Sequence, residues 1–497
     1  MAYELLITID KTLDTSLSRQ VYEQILQAIT NGCLRSGDQV PSTRLLSEQI
    51  LVSRSVVLQA YEQLQAEGYL EMRKGAGTFI SAISAGIETD PGTEVNNLCE
   101  VATKAPNFVS VEQSASAVPY DFRHGVPAWD VFPMDRWQRS LTEACRRATP
   151  DMLTYGPAEG SLTLREEIAR LVRSTRSIPA LPEQIVITTG ATQALDILAR
   201  LCLSKGDQVL VEDPTHNVLR EIFSYSGGEV IPVRVDQEGI CVQEIEARTP
   251  KLLYVTPSHQ FPTGVTMSFN RRIQLLEWAR RSGALVIEDD YDSEYRYVGQ
   301  KVSALAGLDS CGRVVYVGSF SKILFPALRI GYAILPPSLI EPFLAIKWIT
   351  DRMTPTLEQE ALADFIQTGQ YAKHVSRMGK LYAARRACLV DALHQEFGKR
   401  VTVFGDEAGL HLLIELDTTV EERLIAGKAL QYGVKIYSAS DYFINSVPQK
   451  PTFILGYSNL SENQIRTGIK QVARAENECR RINQVPEIDR NRGAGYT

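Results

Sequence analysis

Nowhere in its 497 residues does the chain carry an apolar run long enough to cross a bilayer, which argues against an integral membrane protein. Cysteine is sparse. The eight that occur form no CxxC pair and no zinc-like spacing with histidine, so free thiols in a reducing compartment are expected, with neither a disulfide scaffold nor a metal site. Positive charge is not in excess either: 52 Lys and Arg face 59 Asp and Glu, a formal net charge of -7. No global basic field attracts nucleic acid, and any contact with DNA has to come from a local patch. The opening stretch, MAYELLITIDKTLD, holds acids and no long apolar core, unlike a signal peptide. A cytoplasmic protein is the simplest expectation. No internal repeat is visible.

What is there divides into zones. Residues 1–81 read as short helical units ending in a Gly-rich turn. Residues 82–118 show no sustained period and are rich in Ser, Thr, Asn, Pro and Gly, the composition of a linker. From 119 to 482 strands and helices alternate, and residues 483–497 read as a tail. The strand candidates in the third zone are 185–189, 209–212, 230–235, 252–256, 284–288 and 314–317. Helical patterns lie between them, such as NRRIQLLEWARRSG with Ile273, Leu276, Trp278 and Ala279 on one side. This rhythm predicts an α/β fold with a mostly parallel sheet covered on both faces, and a ligand site at the carboxyl ends of its strands.

In the first zone, SLSRQVYEQILQAITNG places Val21, Ile25, Ala28 and Ile29 on one apolar stripe, with Gly32 as a stop. Ser42 or Thr43 can cap a second helix and Ser53 a third. In the third helix Val57, Tyr61 and Leu64 face inward, while Ser53, Arg54, Ser55 and Gln59 face out. EMRKGAGTFI reads as a hairpin with Arg73 and Lys74 at its tip. The pattern is a helix-turn-helix with a wing. Charge alone favours a plain dimerisation module, since the first 80 residues hold fewer basic than acidic side chains. The motifs decide otherwise. Pro41-Ser42-Thr43-Arg44 and Val52-Ser53-Arg54 closely resemble the signature of the GntR-type winged helix. That resemblance implies binding to double-stranded DNA, with Arg44, Ser53, Arg54 and Ser55 as the main contacts and Lys74 and Gly75 on the wing.

In the third zone Lys322 sits in GSFSKILFPALRIGY, after an apolar run. A buried amine is costly unless it is paired or reacts. It has company: IEDDYDSEY offers Asp289 and Tyr291 at the end of a strand, and TTGATQALDIL offers a Gly-Ala-Thr turn opening a helix, where backbone N–H groups suit a phosphate. A lysine for a Schiff base, a carboxylate for a pyridine nitrogen, a hydroxyl for a phenolic oxygen and an arginine for a phosphate are the parts of a pyridoxal phosphate site. Each alone is weak; their order is specific. The zone resembles the fold-type I aminotransferases, which adds a smaller α/β domain to the expected fold. Carried over, Lys322 is the Schiff-base lysine, Asp289 the pyridine partner and Tyr291 the phenolate partner. Ala191, Thr192, Ser319, Ser321 and Arg329 match the phosphate cup. Tyr155, in YGPAEGSLTLREEIA, matches a tyrosine that reaches the neighbouring subunit's phosphate. His216, in EDPTHNVL, stands where an aromatic ring stacks on the cofactor.

A GntR-type winged helix joined to an aminotransferase-like domain is the layout of the MocR/GabR-type regulators, which the chain resembles over nearly its whole length, including TPSHQFPTG. The resemblance implies a regulator that senses a small amine, an amino acid, a dipeptide or pyridoxal phosphate itself by exchange at the lysine. It also implies a homodimer, with the winged helix of one chain near the large domain of the other. Two departures count against an active aminotransferase. Phe261-Pro262-Thr263-Gly264 stands where those enzymes carry Asn-Pro-x-Gly, and Asn459 stands where an arginine clamps the substrate carboxylate. Arg123 and His124, in FRHGVPAWDVFP, are candidates for the effector entrance, with a strand-end structural role as the alternative.

Overall fold

The computed structural model describes residues 7–82, 118–300 and 302–483. The chain falls into two compact units that divide after Pro106, and each is taken by itself. The expected linker and tail lie almost wholly outside the described residues.

The first unit follows the sequence pattern closely. Helix α1 (Leu17–Thr30) starts where Ser16 accepts a hydrogen bond from the Arg19 N–H, and it buries Val21, Ile25 and Ile29. Strand β1 (Gln39–Val40) leads to α2 (Thr43–Gln49) and α3 (Arg54–Ala66). Ser42 caps α2 through its hydroxyl. Val57, Tyr61 and Leu64 of α3 are buried. Strands β2 (Leu70–Arg73) and β3 (Gly77–Ile80) pair antiparallel as the wing, and β1 joins β3 on its other side. Arg73, expected at the tip, instead closes β2, ion-paired to Glu71 with its guanidinium 4.6 Å above the Phe79 ring. Lys74, Gly75 and Ala76 make the turn, and Gly75 has φ +80°, a conformation that suits glycine.

The second unit begins with β4 (Tyr120–Asp121) and builds an eight-stranded sheet from β5 (Ile185–Thr188), β6 (Gln208–Asp213), β7 (Glu229–Asp236), β8 (Gly239–Ile240), β9 (Leu252–Val255), β10 (Leu285–Asp290), β11 (Val314–Ser319) and β12 (Gly331–Ile334). The order is β5-β12-β11-β10-β9-β6-β7-β8. Strands β6, β7, β9, β10 and β11 pair in parallel, while β12 runs against both its neighbours. Both faces are covered: Val209, Val211 and Val315 pack into one core, and Leu210, Leu253 and Val286 into another on the opposite face. The six strand candidates are all present, within a residue or two at their ends. Strand β12 was not expected from its sequence, being short and led by a glycine.

The helix Phe269–Ser282 departs from its expected stripe. Its buried residues are Arg271, Arg272, Leu275, Trp278 and Ala279, while Ile273 and Leu276 are only half-buried. Two arginines take the core-facing positions because backbone carbonyls receive them. Arg272 donates to the carbonyls of Met267, Ser303 and Pro257, and Arg271 to those of Gly239 and Ile240.

A smaller lobe follows, with β13 (Val401–Phe404), β14 (His411–Leu416), β15 (Val434–Lys435), β16 (Tyr437–Ser438) and β17 (Thr452–Gly456). Four of these form a sheet in the order β13-β14-β17-β16, and β15 pairs with β4. Its core gathers Phe122, Leu389, Leu412, Phe453 and Ile469. Among the described residues no helix is long and apolar enough to cross a membrane.

Candidate DNA-reading surface and cofactor site

In the first unit, Arg44, Ser53, Arg54 and Ser55 are all exposed where α2 and α3 begin. Ser53 occupies the N-cap of α3, but its hydroxyl makes no cap bond; it meets the Ser55 hydroxyl at 2.9 Å. Arg54 Nε reaches back to Thr43 Oγ1 at 3.3 Å, which ties the start of α3 to the start of α2. Arg44 pairs with Glu48 one turn on, at 3.1 Å. Such an exposed pair is weak and gives way readily to a phosphate. Lys74 and Gly75 sit on the wing turn.

In the second unit, the parallel pairing of β10 with β11 sets Asp289 beside Val317 and Asp290 beside Gly318. This register brings the carboxylate strand end next to the turn that carries Lys322. The Lys322 Nζ donates to the carbonyl of Gly125 at 2.8 Å. A Cβ on Gly125 would lie 2.8 Å from that nitrogen, and the residue's φ of +70° favours glycine there. Asp289 Oδ2 accepts from the Tyr254 hydroxyl at 2.8 Å, while Oδ1 is buried without a partner. Burial pushes this carboxyl up to about 7, against the pull of the Tyr254 hydrogen bond. Tyr291 donates its hydroxyl proton to the His259 carbonyl at 2.9 Å and lies 3.2 Å from His259 Nδ1.

The Gly-Ala-Thr turn behaves as its sequence implies. Gly190, at φ +99°, precedes the helix Ala191–Cys202, so Ala191 and Thr192 supply its first turn. Arg329, itself in the left-handed region, donates Nη2 to the Thr189 carbonyl at 2.6 Å. Its guanidinium lies 3.0 to 3.3 Å from where a Gly190 side chain would start. Ser319 Oγ accepts from the Ser321 N–H at 3.2 Å, and Ser321 Oγ is buried without a partner. A helix N-terminus, an arginine and an unsatisfied hydroxyl in one place suit a phosphate. His216 caps the helix Asn217–Tyr225, its Nδ1 accepting from Val218 N–H at 3.3 Å. Burial and the nearby Lys322 push it down to about 4, so the ring is neutral. Tyr155 packs elsewhere: its ring is 72% exposed, with the Arg352 guanidinium 4.8 Å from its centre.

Arg123 and His124 come to the same place from β4. Arg123 Nε donates to the Tyr437 hydroxyl at 3.2 Å and stands 3.5 Å from Asp121 Oδ2. His124, pushed down to about 3 by burial and neighbouring cations, meets the Tyr442 hydroxyl through Nε2 at 3.4 Å. Phe261, in place of an asparagine, puts its ring between His124 (5.4 Å), His216 (5.3 Å) and Tyr442 (5.1 Å). Asn459 donates Nδ2 to the Asp121 carbonyl at 3.2 Å.

Several groups here were not foreseen. Tyr254 holds Asp289 from the neighbouring strand. Glu212, next to last in β6, accepts from the N–H and hydroxyl of Thr256 and from Gln260, and burial raises it to about 7. His259 Nδ1 lies 3.0 Å from both oxygens of Asp292, linking Tyr291 to the Leu410 N–H that Asp292 also accepts. His259 and Asp292 fall inside TPSHQFPTG and IEDDYDSEY, so their signal was at hand. Tyr254 looks in sequence like any strand aromatic.

Residues 17–80 match the bacterial regulatory proteins of the gntR family, and residues 127–446 match the class I and II aminotransferases. The chain is 36% identical over 469 residues to an uncharacterized HTH-type transcriptional regulator, YdeL, of Bacillus subtilis, covering 94% of this chain and 98% of that one. It is 34% identical to the probable rhizopine catabolism regulatory protein MocR of Rhizobium meliloti, covering 95% of this chain and 96% of the relative. Among solved structures it resembles the kynurenine aminotransferase of Pyrococcus horikoshii, with a TM-score of 0.72 and 28% identity over 78% of this chain and 98% of that one. A gntR-type reader and a class I and II aminotransferase unit in one chain, aligned nearly end to end with such relatives, make this protein a member of the MocR-type family of HTH transcriptional regulators.

Proposed function

We propose that the protein is a DNA-binding transcription regulator whose second unit holds pyridoxal phosphate at Lys322 and reports the presence of a small amine, amino acid or dipeptide, or of the cofactor itself. The observation that carries this is the convergence of the Lys322 amine with two buried, unpartnered polar atoms, Asp289 Oδ1 and Ser321 Oγ. Buried groups of this kind are costly unless a ligand satisfies them. The family resemblance assigns these groups to the two ends of the cofactor.

When bound, pyridoxal phosphate supplies an aldehyde that condenses reversibly with amines, on a ring able to take up electron density. Asp289 would hold the ring nitrogen through Oδ1, and a cation there would favour the ionised form of that carboxyl. Tyr291 would offer its hydroxyl to the phenolic oxygen. Ala191, Thr192, Ser319, Ser321 and Arg329 hold the phosphate, and Tyr155 serves the neighbouring subunit's phosphate. His216 would stack on the cofactor ring. Arg123 and His124 border the effector. Arg44, Ser53, Arg54 and Ser55 read DNA, with Lys74 and Gly75 on the backbone.

We assign the unit to sensing rather than turnover. Phe261 has no hydrogen bond to donate to the phenolic oxygen, and Asn459 is bonded to the Asp121 carbonyl. The exposed Tyr155 supports a homodimer, and the exchange of readers between chains is what the resemblance to the MocR/GabR-type regulators implies. The retained Lys322, Asp289 and Tyr291 count against a unit that only dimerises; the second reading is an active aminotransferase with a DNA-binding accessory.

The test is borohydride reduction of the purified protein. It should fix the cofactor to Lys322, and Lys322→Ala should abolish the link while leaving the fold intact; a reducible link at another lysine refutes the assignment. Mixing with a binding amine and a 2-oxo acid should shift the absorbance but yield little keto product. Sustained turnover on the order of 1 per second favours the aminotransferase.

A further inference from the structure

Tyr291 is held twice by one residue. Its hydroxyl donates to the His259 carbonyl at 2.9 Å, and its oxygen lies 3.2 Å from Nδ1 of the same residue. That Nδ1 also stands 3.0 Å from each oxygen of Asp292. A carboxylate only accepts, and a tyrosine hydroxyl has a single proton, here already donated. The proton in these contacts is therefore the imidazole's own, carried on Nδ1 and directed between Asp292 and the Tyr291 oxygen.

The pair is fixed in place. His259 and Asp292 are 2% and 1% exposed. Asp292 Oδ2 accepts the Leu410 N–H at 3.2 Å, just ahead of β14, which ties it to the smaller lobe. A Cβ on Gly409, at φ +81°, would stand 2.0 Å from His259 Cε1 and 2.7 Å from Asp292 Oδ2, so that lobe closes on the imidazole with no side chain between. A ring packed this closely does not swing away from Tyr291.

Tyr291 is the donor that the resemblance assigns to the cofactor's phenolic oxygen. Phe261, where the aminotransferases carry an asparagine, has its ring 6.4 Å from that of Tyr291 and donates nothing. Burial, with the Asp292 and Asp289 carboxylates nearby, pushes the Tyr291 hydroxyl up, so it keeps its proton. To serve a phenolic oxygen that proton has to turn away from the His259 carbonyl. The Nδ1–H then keeps the oxygen anchored while the proton turns, and a donor on the oxygen makes its O–H a stronger donor in turn.

Given the cofactor reading above, on which this rests, we infer that His259 and Asp292 are positioning residues for the Lys322 link. Asp292 orients the imidazole, and His259 anchors the Tyr291 oxygen and sets how strongly its hydroxyl is offered to the phenolic oxygen. Both act through Tyr291.

The test is the absorbance of the cofactor-loaded protein as a function of pH. The nitrogen of the Lys322 link shares its proton with the phenolic oxygen. A donor on that oxygen weakens its hold, so the proton leaves at lower pH, and losing the donor moves the midpoint up. Tyr291→Phe should raise the midpoint by about 1 pH unit, and His259→Ala by about half as much or more. His259→Asn, whose amide N–H can stand where Nδ1–H stood, should return most of the shift. In the Tyr291→Phe background His259→Ala should add nothing, because the hydroxyl through which it acts is gone. Where the alanine variant does not fold, His259→Phe with Asp292→Leu removes both buried partners instead of orphaning one, and should give the same shift. Asp289, Asp290 and Glu212 also face Tyr291 and are common to every variant. The inference is overturned if removing His259 leaves the midpoint unmoved, if asparagine does no better than alanine, or if the shift is equal with and without the Tyr291 hydroxyl. It is overturned as well if Tyr291→Phe itself moves nothing. A parent protein with no borohydride-reducible link at Lys322 overturns the cofactor reading, and this inference with it.

Discussion

Replacing Asp289 by asparagine should stabilise the cofactor-free protein above neutrality. Burial raises this carboxyl from 3.8 to about 7. At about 1.4 kcal/mol per pH unit, that amounts to about 4 kcal/mol held against the ionised form. In the unfolded chain the group loses its proton near the ordinary carboxylate value, and in the folded chain near neutrality. Across that window the folded state binds more protons, so its stability falls as pH rises, and the cost is complete above the folded value. Asparagine cannot ionise. Its oxygen can still accept from the Tyr254 hydroxyl, but its Nδ2 takes the place of the unpartnered Oδ1 and leaves a buried N–H costing about 1–3 kcal/mol. The net expectation is a variant more stable than the parent by about 1–3 kcal/mol at high pH, with the order lost or reversed at low pH. Urea unfolding of both cofactor-free proteins at pH about 5 and about 8 measures it. Glu212 and Glu288, also raised to about 7 by burial, are present in both proteins and largely cancel in the difference. With cofactor added the order should invert, because only the parent gains an ion pair to the ring nitrogen. An equal offset between the two proteins at both pH values would refute the reasoning.

Arg54→Ala should lower operator affinity by about 1–3 kcal/mol where the guanidinium meets a base edge in both its N–H directions, and by less at a phosphate; unchanged affinity in both Arg54→Ala and Arg44→Ala removes α3 as the reader. Gly190→Ala should cost retained cofactor, measured by absorbance after dialysis, because the residue has φ +99° and its Cβ would meet the Arg329 guanidinium at 3.0 Å. Full retention means the arginine yields without consequence. Asp213→Ala removes the acceptor of the Ile444, Asn445 and Ser446 N–H groups, at 2.7, 2.9 and 3.1 Å. It should destabilise the second unit by about 2–4 kcal/mol in urea, and a change within error shows that water replaces the carboxylate there.

Much of this protein was legible in one dimension. Helices α1 and α3 and strands such as Leu252–Val255 are specified by the spacing of apolar side chains over a few residues, since local burial repeats with the period of the backbone. The winged reader and the order of Gly190, Asp289 and Lys322 along the chain were visible for the same reason: each is a short segment whose chemistry stands in its own neighbours. Three features were decided elsewhere. Arg271 and Arg272 face the core because the carbonyls that receive them come from residues 239, 240, 257, 267 and 303. Asp289 is held by Tyr254 and raised toward neutrality because adjacent strands bury it, which a run of acids in sequence does not disclose. The rings gathered around His124 and Phe261 are the clearest case. His124, His216, Phe261, His411, Tyr437 and Tyr442 are scattered over more than 300 positions of the sequence, and they meet because β4 pairs with β15 and the smaller lobe closes on the strand ends of the larger sheet. Local pattern follows from nearest neighbours along the chain, whereas a binding site is a property of long-range contacts that appear only when the whole core is packed.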